Sequence, residues 1–170
     1  MDIEIRKAEF NDLEILTNIY NQAIISMRCT CDMKPFTWQQ RVEWFNSHQN
    51  DRFPLFTVLA DEKVVGWASI SPYRTNRPAL QSVTEISYYL DFEYCHMGIG
   101  TKLLEHTIKA AKEIGFVTII AVILGSNTAS RKLLEKFGFT EWGCMPGICR
   151  FGDRTEDHVY YGKFTKDIDL

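Results

Sequence analysis

Residues Val117 to Leu124, Val-Thr-Ile-Ile-Ala-Val-Ile-Leu, carry a single polar side chain. A run this short and this apolar reads as a strand buried on both faces rather than a half-exposed one. Such a strand needs covering layers above and below it. The chain must therefore build a sheet with helices on both sides.

The flanking pattern supplies those layers. Ile3 and Ile5 alternate with polar residues as a first strand. Asn11 with Glu14 three residues on reads as a helix cap, and Leu13, Leu16, Ile19, Tyr20 and Ala23 follow at helical spacing. Thr37 opens a second helix carrying Val42, Trp44 and Phe45. Phe53–Ala60 and Val64–Ile70 form an antiparallel hairpin around Asp61-Glu62-Lys63, and Val83–Leu90 is a further strand. Ile99–Ile114 and Thr128–Phe137 are helices, and two last strands meet at Gly152-Asp153. The order is strand, two helices, three strands, helix, strand, helix, two strands. Residues 26–36 and 71–81 are left as long irregular loops, a common place for binding residues.

Composition excludes several classes. With 170 residues, one domain spanning 1–170 is expected. A formal charge of -3 and scattered Lys and Arg give no basic footprint for nucleic acid. No stretch reaches the ~18 apolar residues of a membrane span, and the acidic, alternating start is unlike a signal peptide. A cytoplasmic protein without nucleic-acid or membrane partners is expected. The five cysteines lack zinc-type spacing, so packed, reduced thiols and no metal are expected. The four histidines share no ligand spacing. His158 stands next to Asp157 in a strand, where neighbours face opposite ways.

The sharpest local signal is Gly98-Ile99-Gly100, where a strand gives way to a helix. A helix start presents backbone N–H groups without intrahelical partners, and its dipole favours an anion. Two glycines let a diphosphate approach those groups. By itself the pair is equally a tight turn into a helix. A dinucleotide fingerprint is excluded because the third glycine position is Leu103. An ATP-type loop is excluded because no Lys-Ser or Lys-Thr follows in register.

Taken together, Cys95-His96-Met97-Gly98-Ile99-Gly100, the apolar strand after it, Asn127, and Leu-Glu-Lys-Phe-Gly-Phe ending at Phe139 resemble the GNAT superfamily of N-acetyltransferases. Ile19-Tyr20-Asn21, Arg77-Pro78-Ala79, Thr84-Glu85 and Glu141-Trp142-Gly143 with Pro146-Gly147 are similar to its phosphinothricin-acetyltransferase-like branch. The chain departs from that pattern in places. Cys95 stands where Gln or Arg is usual, and Leu134 stands where many members carry a Tyr proton donor.

The resemblance implies a central mixed, mostly antiparallel sheet flanked by helices on both faces. It also implies acetyl-coenzyme A as co-substrate and a homodimer. The cofactor set it implies is Tyr88, Tyr89 and Leu90 on the strand, Cys95, His96, Met97, Gly98, Ile99, Gly100 and Thr101 at the turn, and Asn127 and Ser130 beyond. Asn127 is equally read as a helix cap. The expected reaction is direct transfer of acetyl to the primary amine of a small amino-acid-like acceptor, of phosphinothricin, methionine sulfoximine or methionine sulfone type. Glu85 is the expected base, since a carboxylate on a partly buried strand has its pKa raised by desolvation. Arg74 and Arg77 are the expected forks for an acceptor carboxylate or phosphinate. The rival readings are acetylation of a protein or peptide amine and a non-catalytic module that binds acetyl-coenzyme A.

Overall fold

The computed structural model describes residues 1–166, so the expected domain span of 1–170 runs four residues past them. Seven strands form one sheet: β1 (Ile3–Lys7), β2 (Leu55–Ala60), β3 (Lys63–Pro72), β4 (Val83–Leu90), β5 (Thr118–Leu124), β6 (Thr140–Phe151) and β7 (Arg154–Phe164). The helices are α1 (Leu13–Ser26), α2 (Val42–Ser47), α3 (Ile99–Ile114) and α4 (Thr128–Lys136). The strand order is β1-β2-β3-β4-β5-β7-β6. Every pairing is antiparallel except β4 with β5. The element order and the mixed, mostly antiparallel sheet are those expected. Among the described residues no helix is long and apolar enough to cross a membrane.

Helices cover both faces. Leu13, Leu16 and Ile19 of α1 and Phe45 of α2 pack with Leu55 and Trp67 on one face. Leu103 and Leu104 of α3 and Leu134 of α4 pack on the other, against Val58, Ala68, Ile70, Ile86 and Ile119. Leu134 is fully buried, so the position of the missing Tyr is a core position here. In β5, Ile119, Ile120, Ala121, Ile123 and Leu124 are buried as the apolar run requires. Val122 is only half-buried, because two cavities meet at it.

The start of α1 differs from expectation. Asn11 does not cap it: the helix is entered through a 3-10 turn, Phe10–Asp12. The Asp12 carboxylate accepts from the Glu9 amide at 2.8 Å and from Arg6 at 2.7 and 2.9 Å. An ionised Asp three residues into the turn with an Arg partner outcompetes a neutral Asn for the orphan amide. Similarly, a 3-10 turn, Gln39–Arg41, stands between Thr37 and α2.

The parallel pair fixes the site. β4 and β5 are in register only at Val83–Thr118, Thr84–Ile119 and Glu85–Ile120. Beyond Glu85 the two strands diverge, while β4 stays paired to β3 through Leu90 and β5 stays paired to β7 through Leu124. The result is a V-shaped slot in the middle of the sheet, with an unpaired backbone edge on each side.

Candidate active site

Two cavities open on the slot, each of about 320 Å³. Strand alternation divides their walls. Ile86, Tyr88 and Leu90 line the cavity on the α3 and α4 side, while Glu85, Ser87 and Tyr89 line the one beneath the loop after α1. Ser87, Tyr89, Val122, Ile123 and Cys29 belong to both. The cavities are thus two ends of one passage through the sheet.

The α3-side cavity brings together most of the expected cofactor set: Tyr88, Tyr89, Leu90, Cys95, His96, Gly98, Gly100, Thr101, Asn127 and Ser130. The side chain of Met97 is exposed and that of Ile99 is buried in the core, so neither lines it. Each glycine has its own reason. Gly98 sits at φ +80°, in the left-handed region, at the N-cap of α3 with open space around it. At Gly100 a Cβ would press on Leu90 at 3.3 Å and Leu133 at 3.5 Å. The arrangement leaves the first amides of α3 facing a cavity, the chemistry a diphosphate requires. Asn127 caps α4, its Oδ1 accepting from the Ser130 amide at 3.2 Å. The Cys95 thiol donates to the Asp91 carbonyl at 3.7 Å.

The second cavity holds Glu85 and Arg74 together, with Tyr20, Tyr73, His158 and Tyr160 around them. Burial pushes the Glu85 carboxyl above the ordinary range, and the Arg74 charge pulls it part of the way back. Arg77 does not join them: its guanidinium donates to the Asn76 carbonyl, and it is exposed outside the cavity. Of the aromatics in the flanking loops, Tyr73 lines the cavity, Phe36 stacks behind Tyr20, and Trp38 packs edge-on against Phe10.

A model of the acetyltransferase (GNAT) family matches residues 16–139. The chain belongs to that family. YwnH of Bacillus subtilis (strain 168), named as a candidate phosphinothricin acetyltransferase, is 38% identical over 161 residues, covering 94% of this chain and 97% of that protein. The L-methionine sulfoximine/L-methionine sulfone acetyltransferase of Salmonella typhimurium is 28% identical, covering 87% and 86%. Among solved structures, the GNAT phosphinothricin acetyltransferase of Sinorhizobium meliloti in complex with AcCoA superposes with a TM-score of 0.91 at 28% identity, covering 96% and 89%.

This GNAT acetyltransferase also has side chains around the two cavities whose contacts the sequence did not foretell, Tyr20 and Asn21 having entered only as part of a family-like stretch. Tyr20 hydrogen-bonds Thr30 at 2.9 Å and Asp32 at 2.5 Å, and its pKa is pushed up to about 12 by burial and by Asp32. Asn21 pairs with both backbone groups of Phe36, at 2.8 and 2.9 Å, and so fastens the loop after α1 over the cavity. An Asn in a helix interior is the signal that was available. Arg41 is buried among Tyr20, Trp44 and Trp67, with its guanidinium 3.7 Å over the Trp44 ring. Gln22 bridges α1 to the turn before α3, donating to Asp91 and accepting from the Phe92 amide. The Tyr88 hydroxyl, from the expected cofactor set, is buried on the α3-side wall without a hydrogen-bond partner among the described residues. Burial pushes its pKa up to about 12, against a smaller lowering by the nearby Ser130 hydroxyl, which lies short of hydrogen-bond geometry.

Proposed function

We propose that this protein transfers the acetyl group of acetyl-coenzyme A to the primary amine of a small amino-acid-like acceptor, by direct attack on the thioester. The observation that carries the proposal is the passage itself. One mouth presents helix-start amides and glycines, and the other presents a desolvated carboxylate beside an arginine. The names of the relatives support the acceptor class of phosphinothricin, methionine sulfoximine and methionine sulfone. The acceptor cavity, about 320 Å³ and roofed by the fastened loop, suits a small molecule better than a peptide, which needs an open groove.

The α3 turn holds the diphosphate through backbone amides of Gly98 to Thr101, with Cys95 and His96 beside it. Because the donors are main-chain groups, the unusual side chains at 95 to 97 leave this contact intact. The unpaired edges of β4 and β5 receive the amide-bearing arm as a strand pairs with a sheet edge. Backbone N–H groups of Tyr88 to Leu90 hold the acetyl oxygen, and Asn127 and Ser130 close the wall. From the acceptor side, Glu85 takes a proton from the ammonium so that a lone pair is available. Burial raises its pKa above the ordinary carboxylate range, which makes it a stronger proton acceptor. Arg74 binds the acceptor's acidic group, and Arg77 lies outside the cavity. Tyr88 hydrogen-bonds the departing sulfur, taking the part that Leu134 cannot.

Positioning of the two reactants supplies most of the rate, ~7–11 kcal/mol, and the base a further ~10²- to 10⁴-fold. The test is release of free thiol from acetyl-coenzyme A with each of the three acceptors, in wild type and Glu85→Gln. Turnover that falls by that factor in the variant is expected. A wild type that binds acetyl-coenzyme A yet releases none with any acceptor refutes the reading. We also expect a homodimer. Edge strand β6 exposes Trp142, Met145 and Ile148, and an uncovered edge of that kind calls for a partner. Gel filtration with light scattering tests this.

A further inference from the structure

At the wall of the acceptor cavity, Cys31, Cys149 and His158 converge from three separate segments. Their donor atoms lie within 4.8 Å of one another, and the two Sγ atoms are 2.8 Å apart. Cys31 and His158 line the cavity, and Cys149 is buried behind them. Cys31 pairs with Cys149, 118 residues away, rather than with Cys29 two residues before it.

The backbone is built to bring them together. Cys31 sits between Thr30 and Asp32, both hydrogen-bonded to the Tyr20 hydroxyl. The loop is tied a second time where Arg154 of β7 donates to the Met27 carbonyl. On β6, four residues from Met145 to Cys149 span only two on β7, from His158 to Glu156. Gly147 at φ +64° and the hydrogen bond its N–H donates to the Asp157 carboxylate, at 2.8 Å, hold that bulge. Bulges of this kind re-aim side chains. Here the bulge accompanies a Cys149 side chain that reaches the loop, next to His158.

We propose that Cys31, Cys149 and His158 form a binding site for a thiophilic divalent cation of the Zn²⁺ class, at the wall of the acceptor cavity. Two thiolates and an imidazole are a donor set this ion takes, with a fourth position left for water or another ligand. Around zinc, S and N donors at ~2.3 and ~2.0 Å stand roughly 3.3–3.8 Å apart in a tetrahedron. The two thiols must therefore open slightly, which the exposed loop position of Cys31 permits. On binding, two S–H bonds break, two S–metal bonds and one N–metal bond form, and two protons pass to buffer. Nothing is oxidised or reduced. The ion would pin the loop after α1 to the β6–β7 hairpin.

The test uses the full-length protein, reduced and kept anaerobic, titrated with ZnCl₂ against a chromophoric chelator and separately with CoCl₂. One equivalent bound, a thiolate-to-cobalt charge-transfer band, and two thiols protected from alkylation are expected. Cys31→Ser, Cys149→Ser and His158→Ala should each weaken binding by at least the roughly 10–100-fold that loss of an outer-shell partner costs. Cys144→Ser should bind as wild type. Should the buried Cys149 variant fail to fold, exposed Cys31 gives the same reading. Absence of the cobalt band, or equal binding by Cys31→Ser and His158→Ala, overturns the site. So does loss of the two thiols with a mass decrease of two hydrogens and no metal retained, the signature of a disulfide. None of these readouts requires acetyl transfer, so they stand apart from the proposed function.

Discussion

Gly66→Ala tests whether the geometry of the slot is set by packing behind it. Gly66 on β3 pairs with Leu90 of β4, at the end where β4 has left β5. A Cβ at residue 66 would lie 2.4 Å from Leu90 Cδ2, 2.8 Å from the Tyr89 carbonyl oxygen and 3.0 Å from Val58 Cγ1. The Leu90 methyl is the end of a side chain and can rotate away, and Leu90 lines the α3-side cavity beside Gly100. The Tyr89 carbonyl is backbone and must retreat until it regains an ordinary contact of at least 3.4 Å. Overpacking of this kind costs ~1–3 kcal/mol. Removing a strand glycine gives back ~0.5–1 kcal/mol of chain entropy. The net expectation is a loss of roughly 1 kcal/mol, read from urea unfolding followed by the fluorescence of buried Trp67. The same displacement narrows the slot at Tyr88 to Leu90, the residues proposed to hold the acetyl oxygen. Since a ~1 Å misplacement can cost ~10²-fold, a fall in kcat/KM on the order of 10-fold is expected. Gly143→Ala, where a Cβ meets nothing within 4 Å, is the matched control. If Gly66→Ala matches wild type in both midpoint and kcat/KM, β3 does not set the slot.

Four further outcomes follow from the same geometry. Tyr88→Phe removes a buried hydroxyl that has no hydrogen-bond partner among the described residues, so stability should hold or rise, while kcat falls by roughly 10²-fold if the phenol serves the sulfur; unchanged kcat removes it from the mechanism. Asn127→Ala deletes the α4 cap, costing ~1 kcal/mol by thermal or urea unfolding, and KM for acetyl-coenzyme A should rise with it. Arg74→Gln withdraws the charge that restrains the Glu85 pKa, so the acid limb of the pH–rate profile should move to higher pH. Glu85→Gln should gain stability at neutral pH. A carboxyl whose folded pKa is raised gives stability below its unfolded pKa that is lost as pH rises through the folded one. The Gln variant escapes that loss, and its advantage should vanish below the ordinary carboxylate range.

The parts of the site that were legible in the sequence are those built from contiguous residues. The β5 run, the Gly98 turn and Glu85 each belong to one element whose period or backbone demand is local. The acceptor walls were not legible because they come from separate segments. Tyr20, Cys31, His158 and Tyr160 meet Glu85 only through the order β4-β5-β7 and the loop after α1. Alternation did separate His158 from Asp157: Asp157 accepts from Gly147, and His158 faces the cavity. Which of Arg74 and Arg77 would face inward depends on a loop without a period, and only Arg74 does. Asn11 failed as a cap because Asp12, paired to Arg6 from β1, needs a tertiary contact to win.

The shape of the passage also bears on how the acetyl group crosses it. A covalent relay would need a nucleophile reaching both cavities, and of the shared wall residues the Cys29 thiol is intrinsically more nucleophilic than the Ser87 hydroxyl. Burial raises the Cys29 pKa, with Ser26 and Arg28 offsetting only part of that. The thiolate is the reacting form, so desolvation disarms this residue where a relay would use it. By contrast, the Glu85 carboxyl is desolvated in the direction that helps a base. Both effects come from burial around the slot, and both favour an amine meeting the thioester without an acyl-enzyme between. Wild type mixed with acetyl-coenzyme A alone should therefore show no acetyl mass increment on the intact protein. A stable increment that maps to Cys29 would reverse that order of events.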